Sequence, residues 1–411
     1  MTNADDHTIK KSARKNQYDA IIMGANLVGL TLAHELTRRG KKILLLDSKD
    51  VVGGHLAPVE TEKGRMPSHL SFVPQNEESR KLLTRFGHLI GQDLIVSTYH
   101  HEPKTFSEGH LHRFLGFGNR PGHSLNELSY YNTSDAFELA RTPSQWIERL
   151  EQLYTGELLL RSEVTDLIIE NENIKEVIVN GSKAYFAEEY IFCLSPKELL
   201  NLVIPFESIT PKIRHKISKA QVWTQISLHY THSEVITEDT NLHFLMSNKP
   251  DNDPCVGRFF APHLNESIPC QDSLWVAYMP SEMAEDDDQI GNFIHYMKKQ
   301  IKRAYPNLFE QIANEKITVH RDSHGELSLN LKHLARLPKI KNFVLASPFL
   351  IHERNLPGQL AVAEQLLAEI WPSTDGGEAI PQYSDASPTS NGPEVAFVGT
   401  RTEDQNPPLE N

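Results

Sequence analysis

The sequence predicts an α/β protein whose parallel sheet is discontinuous along the chain and is accompanied by an inserted α+β domain. Three segments lead to this prediction: a strand, a glycine turn and a helix that begin near residue 20, a run of short strands between residues 158 and 194, and a strand and helix after residue 341. Short apolar runs are typical of buried parallel strands, and apolar residues at helical spacing indicate the helices that cover them.

The first segment predicts a strand, a helix and a second strand. Residues 20–23 are an uninterrupted apolar run, which is typical of a strand buried on both faces. Apolar residues then recur at helical spacing until Gly40, which is placed to end the helix. The apolar run 43–46 predicts the second buried strand, and Asp47 follows it directly. These elements form a β-α-β unit.

The turn between strand and helix predicts that this unit binds a dinucleotide. Its residues, Gly24-Ala25-Asn26-Leu27-Val28-Gly29, have the first and third glycines of the pattern G-x-G-x-x-G. The N–H groups and the dipole at the start of a helix favour a pyrophosphate. Asn26 replaces the second glycine, which allows the closest phosphate approach, whereas Asp47 is placed to accept ribose hydroxyls. The alternative is an ordinary strand-turn-helix of any α/β protein.

A glycine pair, Gly53-Gly54, lies shortly after the second strand, with Ser48 before it and His55 after it. Adjacent glycines let a loop pass close to a ligand, although a bare pair is also typical of a simple turn. Its short distance from the dinucleotide turn favours a role in binding.

This order of motifs resembles the N-terminal FAD-binding region of the flavin amine oxidase, protoporphyrinogen oxidase and phytoene desaturase superfamily. In that superfamily an Arg that contacts the pyrophosphate commonly follows the glycine pair, and here His55 takes its place. The resemblance implies that FAD is contacted by Gly24, Asn26, Leu27, Val28, Gly29, Asp47, Ser48, Gly53, Gly54 and His55.

The second segment, residues 141–205, predicts a helix, short strands and a β-meander whose hairpin turn is Asn180-Gly181. We predict separate strands at residues 184–186 and 190–194, and a helix that Ser195 and the following proline open. This order is similar to that of the same superfamily. The resemblance implies that Val164 holds the adenine.

The third segment predicts a buried strand at residues 341–348, followed by a loop and an amphipathic helix. It resembles the C-terminal flavin motif of the superfamily, in which a strand ends in Gly-Asp and the Asp binds the ribitol end of FAD. Ala346-Ser347 stands at that place in this sequence. The resemblance implies FAD contacts from Ser347, Gly358 and Gln359.

The three segments also define the expected domains. The remaining residues predict strands near 224–230 and 274–279 and amphipathic helices at residues 77–90 and from about 288 to 305. The two ends of the chain are polar and contain few apolar residues, which predicts that they are disordered. We expect a leader at residues 1–16, a Rossmann-like FAD-binding domain at 17–68, 141–205 and 326–371, a substrate domain at 69–140 and 206–325, and a tail at 372–411.

The composition argues against several kinds of partner. Lys and Arg number 41 against 54 Asp and Glu, and the net charge of −13 argues against nucleic acid. No apolar run has transmembrane length, and no secretory signal stands at the N-terminus. The three cysteines are too few for a disulfide framework. We therefore expect a cytoplasmic protein.

Histidines are frequent between residues 64 and 140. Two of them, His110 and His112, would lie on one side of a strand. No Cys or acid at suitable spacing completes a ligand shell, so we predict no metal site and interpret these residues as exposed, hydrogen-bonding histidines. The histidines concerned are His100, His101, His110, His112 and His123.

The resemblance implies an FAD-dependent oxidoreductase that oxidises a C–N or C–C bond of a small molecule. Two alternatives stay open: a scaffold of this fold without redox activity, which binds a ligand or a partner protein, and a sugar-nucleotide mutase of the same fold. The spacing of ionisable residues identifies no catalytic pair.

Overall fold

The computed structural model describes residues 17–61, 64–70, 72–117, 128, 131, 135–202, 204, 208–246, 254–263, 270–326, 336–337, 339–350 and 355–372. The predicted leader at residues 1–16, the predicted tail beyond residue 372 and His123 lie outside these residues.

The helices and strands are numbered here along the described chain. The helices are α1 (Leu27–Arg38), α2 (Glu77–Ile90), α3 (Pro143–Leu153), α4 (Pro196–Asn201), α5 (Pro211–Ser218), α6 (Asp287–Ala304) and α7 (Leu356–Ile370). The strands are β1 (Gln17–Met23), β2 (Ile43–Leu46), β3 (Val59–Thr61), β4 (Gly64–Met66), β5 (Ile95–His100), β6 (Lys104–Ser107), β7 (His110–Arg113), β8 (Asp135–Leu139), β9 (Glu157–Leu159), β10 (Val164–Glu170), β11 (Asn173–Val179), β12 (Lys183–Phe192), β13 (Gln221–His232), β14 (His243–Leu245), β15 (Cys255–Phe259), β16 (Gln271–Pro280), β17 (Ile312–Glu326) and β18 (Phe343–Leu345).

The first sheet contains five parallel strands in the order β9-β2-β1-β12-β18. In chain order these strands are arranged 3-2-1-4-5, which is the arrangement of a Rossmann-like sheet. Ile22 on the central strand is paired with Leu45 on one side and Ile191 on the other. The α/β class with a Rossmann-like domain, assembled from separated segments, is therefore confirmed.

One strand prediction is wrong. Residues 183–192 form the single strand β12, without the predicted break after residue 186. Its first residues pair antiparallel with β11, and its later residues pair in parallel with β1 and β18. The strands that pair with β12 change along its length, but its backbone stays extended. The polar residues in the middle of β12 therefore do not interrupt the strand.

Helix α1 lies at the centre of the helical layer on the first sheet. Ten of its residues, from Leu27 to Leu36, are buried, because α3 and α7 pack against it. Its buried Glu35 is paired with Arg38 and Arg39 in the last turn, where cations are favoured by the helix dipole. The apolar residues of α1 and the parallel strands belong to one hydrophobic core.

The second sheet has the strand order β17-β13-β16-β15-β14-β6-β7, and its neighbouring strands are antiparallel except for β6 and β14. A second core joins this sheet to α6 through residues such as Tyr230, Trp275 and Met297. The domain boundaries given above stay a prediction. Within the described chain, no helix is both long enough and apolar enough to span a membrane.

Candidate functional site

The glycine turn lies at the carboxyl ends of β1 and β12, where the strand order of the first sheet reverses. In open α/β sheets, ligands bind in the crevice at this point. Gly24 has φ +107°, and a Cβ there would lie 2.6 Å from Leu194 Cδ2. A Cβ at Gly29 would lie 1.9 Å from the Gly24 carbonyl oxygen. Both positions therefore require glycine.

Asn26 joins the two sides of this crevice. Its side-chain oxygen accepts the Gly29 N–H at 3.1 Å and so caps α1, and its amide nitrogen donates to the Cys193 carbonyl at 2.7 Å. The second bond links the end of β1 to the end of β12. One helix-terminal donor that could face a phosphate is therefore already bound by the protein itself.

Asp47, at the end of β2, is buried beside the same turn. One carboxylate oxygen accepts the Ala25 N–H at 2.7 Å, and the other accepts the Lys49 N–H at 2.9 Å. Each oxygen keeps a second lone pair, so ribose hydroxyls can still bind there. Asp47 thus has a structural role that the sequence analysis did not anticipate, and Ser48 beside it is exposed.

The glycine pair packs directly on the turn. The Gly53 N–H donates to the Ala25 carbonyl at 2.7 Å. Gly53 has φ +104°, and a Cβ there would lie 2.8 Å from Ile147 Cγ2 on α3. A Cβ at Gly54 would lie 3.5 Å from the Cβ of Asn26. The two glycine motifs therefore form one local structure, from which a short 3-10 helix (Gly54–Leu56) carries His55.

The third segment also reaches this edge of the sheet. The Ala346 N–H donates to the Phe192 carbonyl at 2.8 Å, so the end of β18 lies beside the end of β12. Ser347 is buried, and its hydroxyl accepts the Phe349 N–H at 3.4 Å. The Gly358 N–H donates to Asn355, the cap residue of α7, and Gln359 is buried.

Val164 opens β10, two residues after Ser162, whose N–H donates to the Asp47 carbonyl at 2.8 Å. Val164 therefore lies toward the side of the sheet that carries Asp47. The predicted FAD contacts come from distant parts of the chain, and their roles in binding stay predictions.

Glu198 is an ionisable residue at this edge that the sequence analysis did not single out. Its carboxylate accepts the Ser195 N–H at 3.0 Å, completing a capping box at the start of α4. Burial raises the pKa of Glu198 to about 7, and the negative charges of Asp322 and Asp47 contribute to the increase. The signal in the sequence was the spacing Ser-x-x-Glu before an apolar helix.

A cluster of three histidines lies where the glycine loop meets β17. The histidine cluster consists of His55, His69 and His324, each of which offers one ring nitrogen within 4.8 Å of the other two. The His55 ring centroid lies 5.1 Å from that of His324 and 5.8 Å from that of His69. These residues belong to separate segments, so no short sequence spacing could have revealed them.

Burial lowers the pKa of several imidazoles near this cluster. Desolvation lowers the pKa of His69 to about 4, and the nearby His320 and His229 also have pKa values lowered to about 4 by burial. Burial lowers the pKa of His55 well below the ordinary value, and the neighbouring histidines add to the effect. A neutral imidazole has one nitrogen with a lone pair, which can accept a hydrogen bond or bind a metal.

Comparisons with known proteins agree with this geometry. Residues 22–86 match the NAD(P)-binding Rossmann-like domain family. No curated protein is similar to the chain in sequence.

Solved structures of other proteins are similar in fold to most of this chain. An oxidoreductase from Methanosarcina mazei has a TM-score of 0.63 at 12% identity, over 85% of this chain and 100% of its own. Putrescine oxidase bound to putrescine has a TM-score of 0.62 at 10% identity, over 86% of this chain and 99% of its own. A protein from Exiguobacterium sp. 255-15, provisionally described as a protoporphyrinogen oxidase, has a TM-score of 0.61 at 12% identity, over 86% of this chain and 98% of its own.

The chain has the amine oxidase-like fold. Within this fold the residues at the crevice are compatible with a dinucleotide: the glycine turn brings backbone close to the crevice, and Asp47 retains lone pairs for ribose. Asn26 and Ser347 differ from the residues of the superfamily motifs. Asn26 binds an N–H at the start of a helix, and Ser347 has a hydroxyl in place of a carboxylate.

Proposed function

We propose that the protein is an FAD-dependent oxidoreductase that acts on a C–N or C–C bond of a small molecule. The observation that carries this proposal is the joint structure formed by the glycine turn, the glycine pair and Asp47 at the switch point of the first sheet. The amine oxidase-like fold supports the proposal.

The residues that would hold FAD follow from this arrangement. Asp47 would accept ribose hydroxyls, Val164 would contact the adenine, and the start of α1 would face the pyrophosphate. Ser347 and the start of α7 would face the ribitol. When bound, FAD supplies the capacity to accept a hydride, whereas the protein binds and orients the substrate and excludes water.

The experiment is to purify the protein without added ligand, record its visible spectrum, and then titrate the flavin-free protein with FAD. We expect flavin absorption, or a melting temperature that rises with FAD concentration as mass action requires. FMN is the control ligand, because it lacks the adenosine that Asp47 and Val164 would contact. We expect FMN to raise the melting temperature less than FAD does. The proposal would be excluded if the protein is colourless and its melting temperature does not change in excess FAD.

A second candidate function is a scaffold without redox activity, and Asn26 favours it. Its amide links two strand ends across the crevice and caps α1, an arrangement that is complete without a phosphate. The same titration separates the two candidates, since the scaffold would neither retain FAD nor be stabilised by it. The sugar-nucleotide mutase stays a prediction from the resemblance.

A further inference from the structure

Two members of the histidine cluster, His55 and His69, have ring nitrogens available for a ligand. His55 Nε2 and His69 Nδ1 are buried and have no hydrogen-bond partner of good geometry among the described residues, although the Leu70 backbone lies beside the His69 ring. The other nitrogen of His69 lies 3.5 Å from the Tyr131 hydroxyl. A buried polar atom without a partner destabilises the folded protein, so two of them in one place indicate a ligand that satisfies both.

The third ring has a hydroxyl beside one of its nitrogens. His324 Nδ1 lies 2.9 Å from the Ser323 hydroxyl oxygen. In the tautomer that carries its hydrogen on Nδ1, His324 donates to this oxygen, and the lone pair of the ring is on Nε2. A hydrogen bond from the second nitrogen of a histidine is the usual support of a metal ligand.

We propose that His55, His69 and His324 bind a divalent transition metal ion such as Zn²⁺, Co²⁺ or Ni²⁺. This inference goes beyond the proposed function and does not depend on bound FAD. Imidazole suits these metals, and three histidines leave a coordination position for water or a substrate atom. The sequence predicts no metal site, because no Cys or acid completes a shell around the closely spaced histidines, whereas the histidine cluster joins residues that are distant in sequence.

The geometry needs a small adjustment to hold the ion. Zn–N bonds of about 2.0–2.1 Å in a tetrahedral shell place ligand nitrogens roughly 3.4 Å apart. The cluster nitrogens already lie within 4.8 Å of one another. His55 directly follows the glycine pair, so its segment has backbone freedom for closing the shell.

The test uses flavin-free full-length protein and metal alone. We expect one equivalent of Co²⁺ to bind, with ligand-field absorption in the visible range, and Zn²⁺ to displace it and raise the melting temperature. His69→Ala and His55→Gln should each weaken Co²⁺ binding at least tenfold, and His55→Gln is the milder change because glutamine keeps a polar side chain. Circular dichroism of both variants establishes that they are folded.

The matched control is the double variant His110→Ala/His112→Ala. Its two histidines are exposed on β7, with ring centroids 6.3 Å apart, and they lie outside the cluster. We expect this control to bind Co²⁺ like the wild type. The proposal is overturned if the wild type binds no Co²⁺, if a folded cluster variant binds it unchanged, or if only the control loses it. Since FAD is absent throughout, none of these outcomes bears on the flavin proposal.

Discussion

At the scale of single residues, Asp47 combines a structural and a proposed binding role. Its carboxylate accepts two backbone N–H groups, one from the glycine turn and one from the loop after β2. Both bonds are charge-assisted, because the acceptor is ionised. A residue that is proposed to bind ribose therefore also determines the shape of the loops that would surround the ligand.

We predict that Asp47→Ala weakens both folding and FAD binding. The buried Ala25 N–H left without an acceptor costs about 1–3 kcal/mol of unfolding free energy, and the lost ribose contacts weaken FAD by roughly 1.5–3 kcal/mol. Urea denaturation measures the first effect, and FAD titration well below the melting temperature measures the second. Asp50→Ala is the control, since Asp50 is exposed three residues later. Unchanged stability in Asp47→Ala would contradict the structural role.

At the scale of elements, the short helix α4 depends on its first turn. Ser195 and Glu198 form reciprocal side-chain bonds to the backbone there, and a proline begins the helix. A six-residue helix has little stability of its own, so such caps and tertiary packing hold it in place. Burial of Glu198 disfavours its ionised form, which makes this cap dependent on pH.

Glu198→Gln tests this dependence, because glutamine retains an acceptor for the Ser195 N–H and cannot ionise. The pKa of Glu198 is raised in the folded state from 4.5 to about 7. A raised folded-state pKa contributes stability that is fully present below the unfolded value and is lost as pH rises through the folded value. We therefore expect the wild type to lose about 1–3 kcal/mol relative to Glu198→Gln as the pH rises from the unfolded-state pKa through the folded-state pKa.

Chemical denaturation of both proteins across this pH range measures that difference. Glu163→Gln serves as the control, since Glu163 is exposed in the turn before β10. Parallel pH profiles for the wild type and Glu198→Gln would show that the Glu198 pKa is not raised by folding.

At the scale of the whole molecule, the first sheet brings positions 26 and 347 to one edge. β12 pairs with β1 on one side and with β18 on the other, so both residues flank the chain just after Phe192. At both positions this chain differs from the residues that contact FAD in the superfamily it resembles. They therefore offer a test of whether this fold still binds flavin.

We predict that the double change Asn26→Gly and Ser347→Asp increases FAD retention and, with FAD, the melting temperature. Glycine at position 26 removes the side-chain amide that accepts an N–H at the start of α1. Aspartate at position 347 provides a charged acceptor at the ribitol position. If the crevice is closed, the introduced carboxylate is a buried charge without a partner, and the variant retains no flavin and melts at a lower temperature. Ser347→Asn, combined with Asn26→Gly, controls for size without charge.

The sequence by itself determined those features that depend on local patterns. Apolar runs and helical spacing predicted the β-α-β unit and the helix at residues 77–90, whose observed bounds are those expected. The helix at 288–305 was located to within one residue, as Asp287–Ala304. Such elements follow from propensity, periodicity and caps, which are all encoded within a few neighbouring residues.

Only the tertiary structure decided which distant groups meet. β12 proved continuous because it exchanges partners along its length, and Asp47 proved structural because the Ala25 N–H lies beside it. The histidine cluster is assembled by a glycine loop packing on a strand of the second sheet, from residues that no sequence spacing connects. Contacts of this kind depend on how complete elements pack, so neither periodicity nor a local motif contains them.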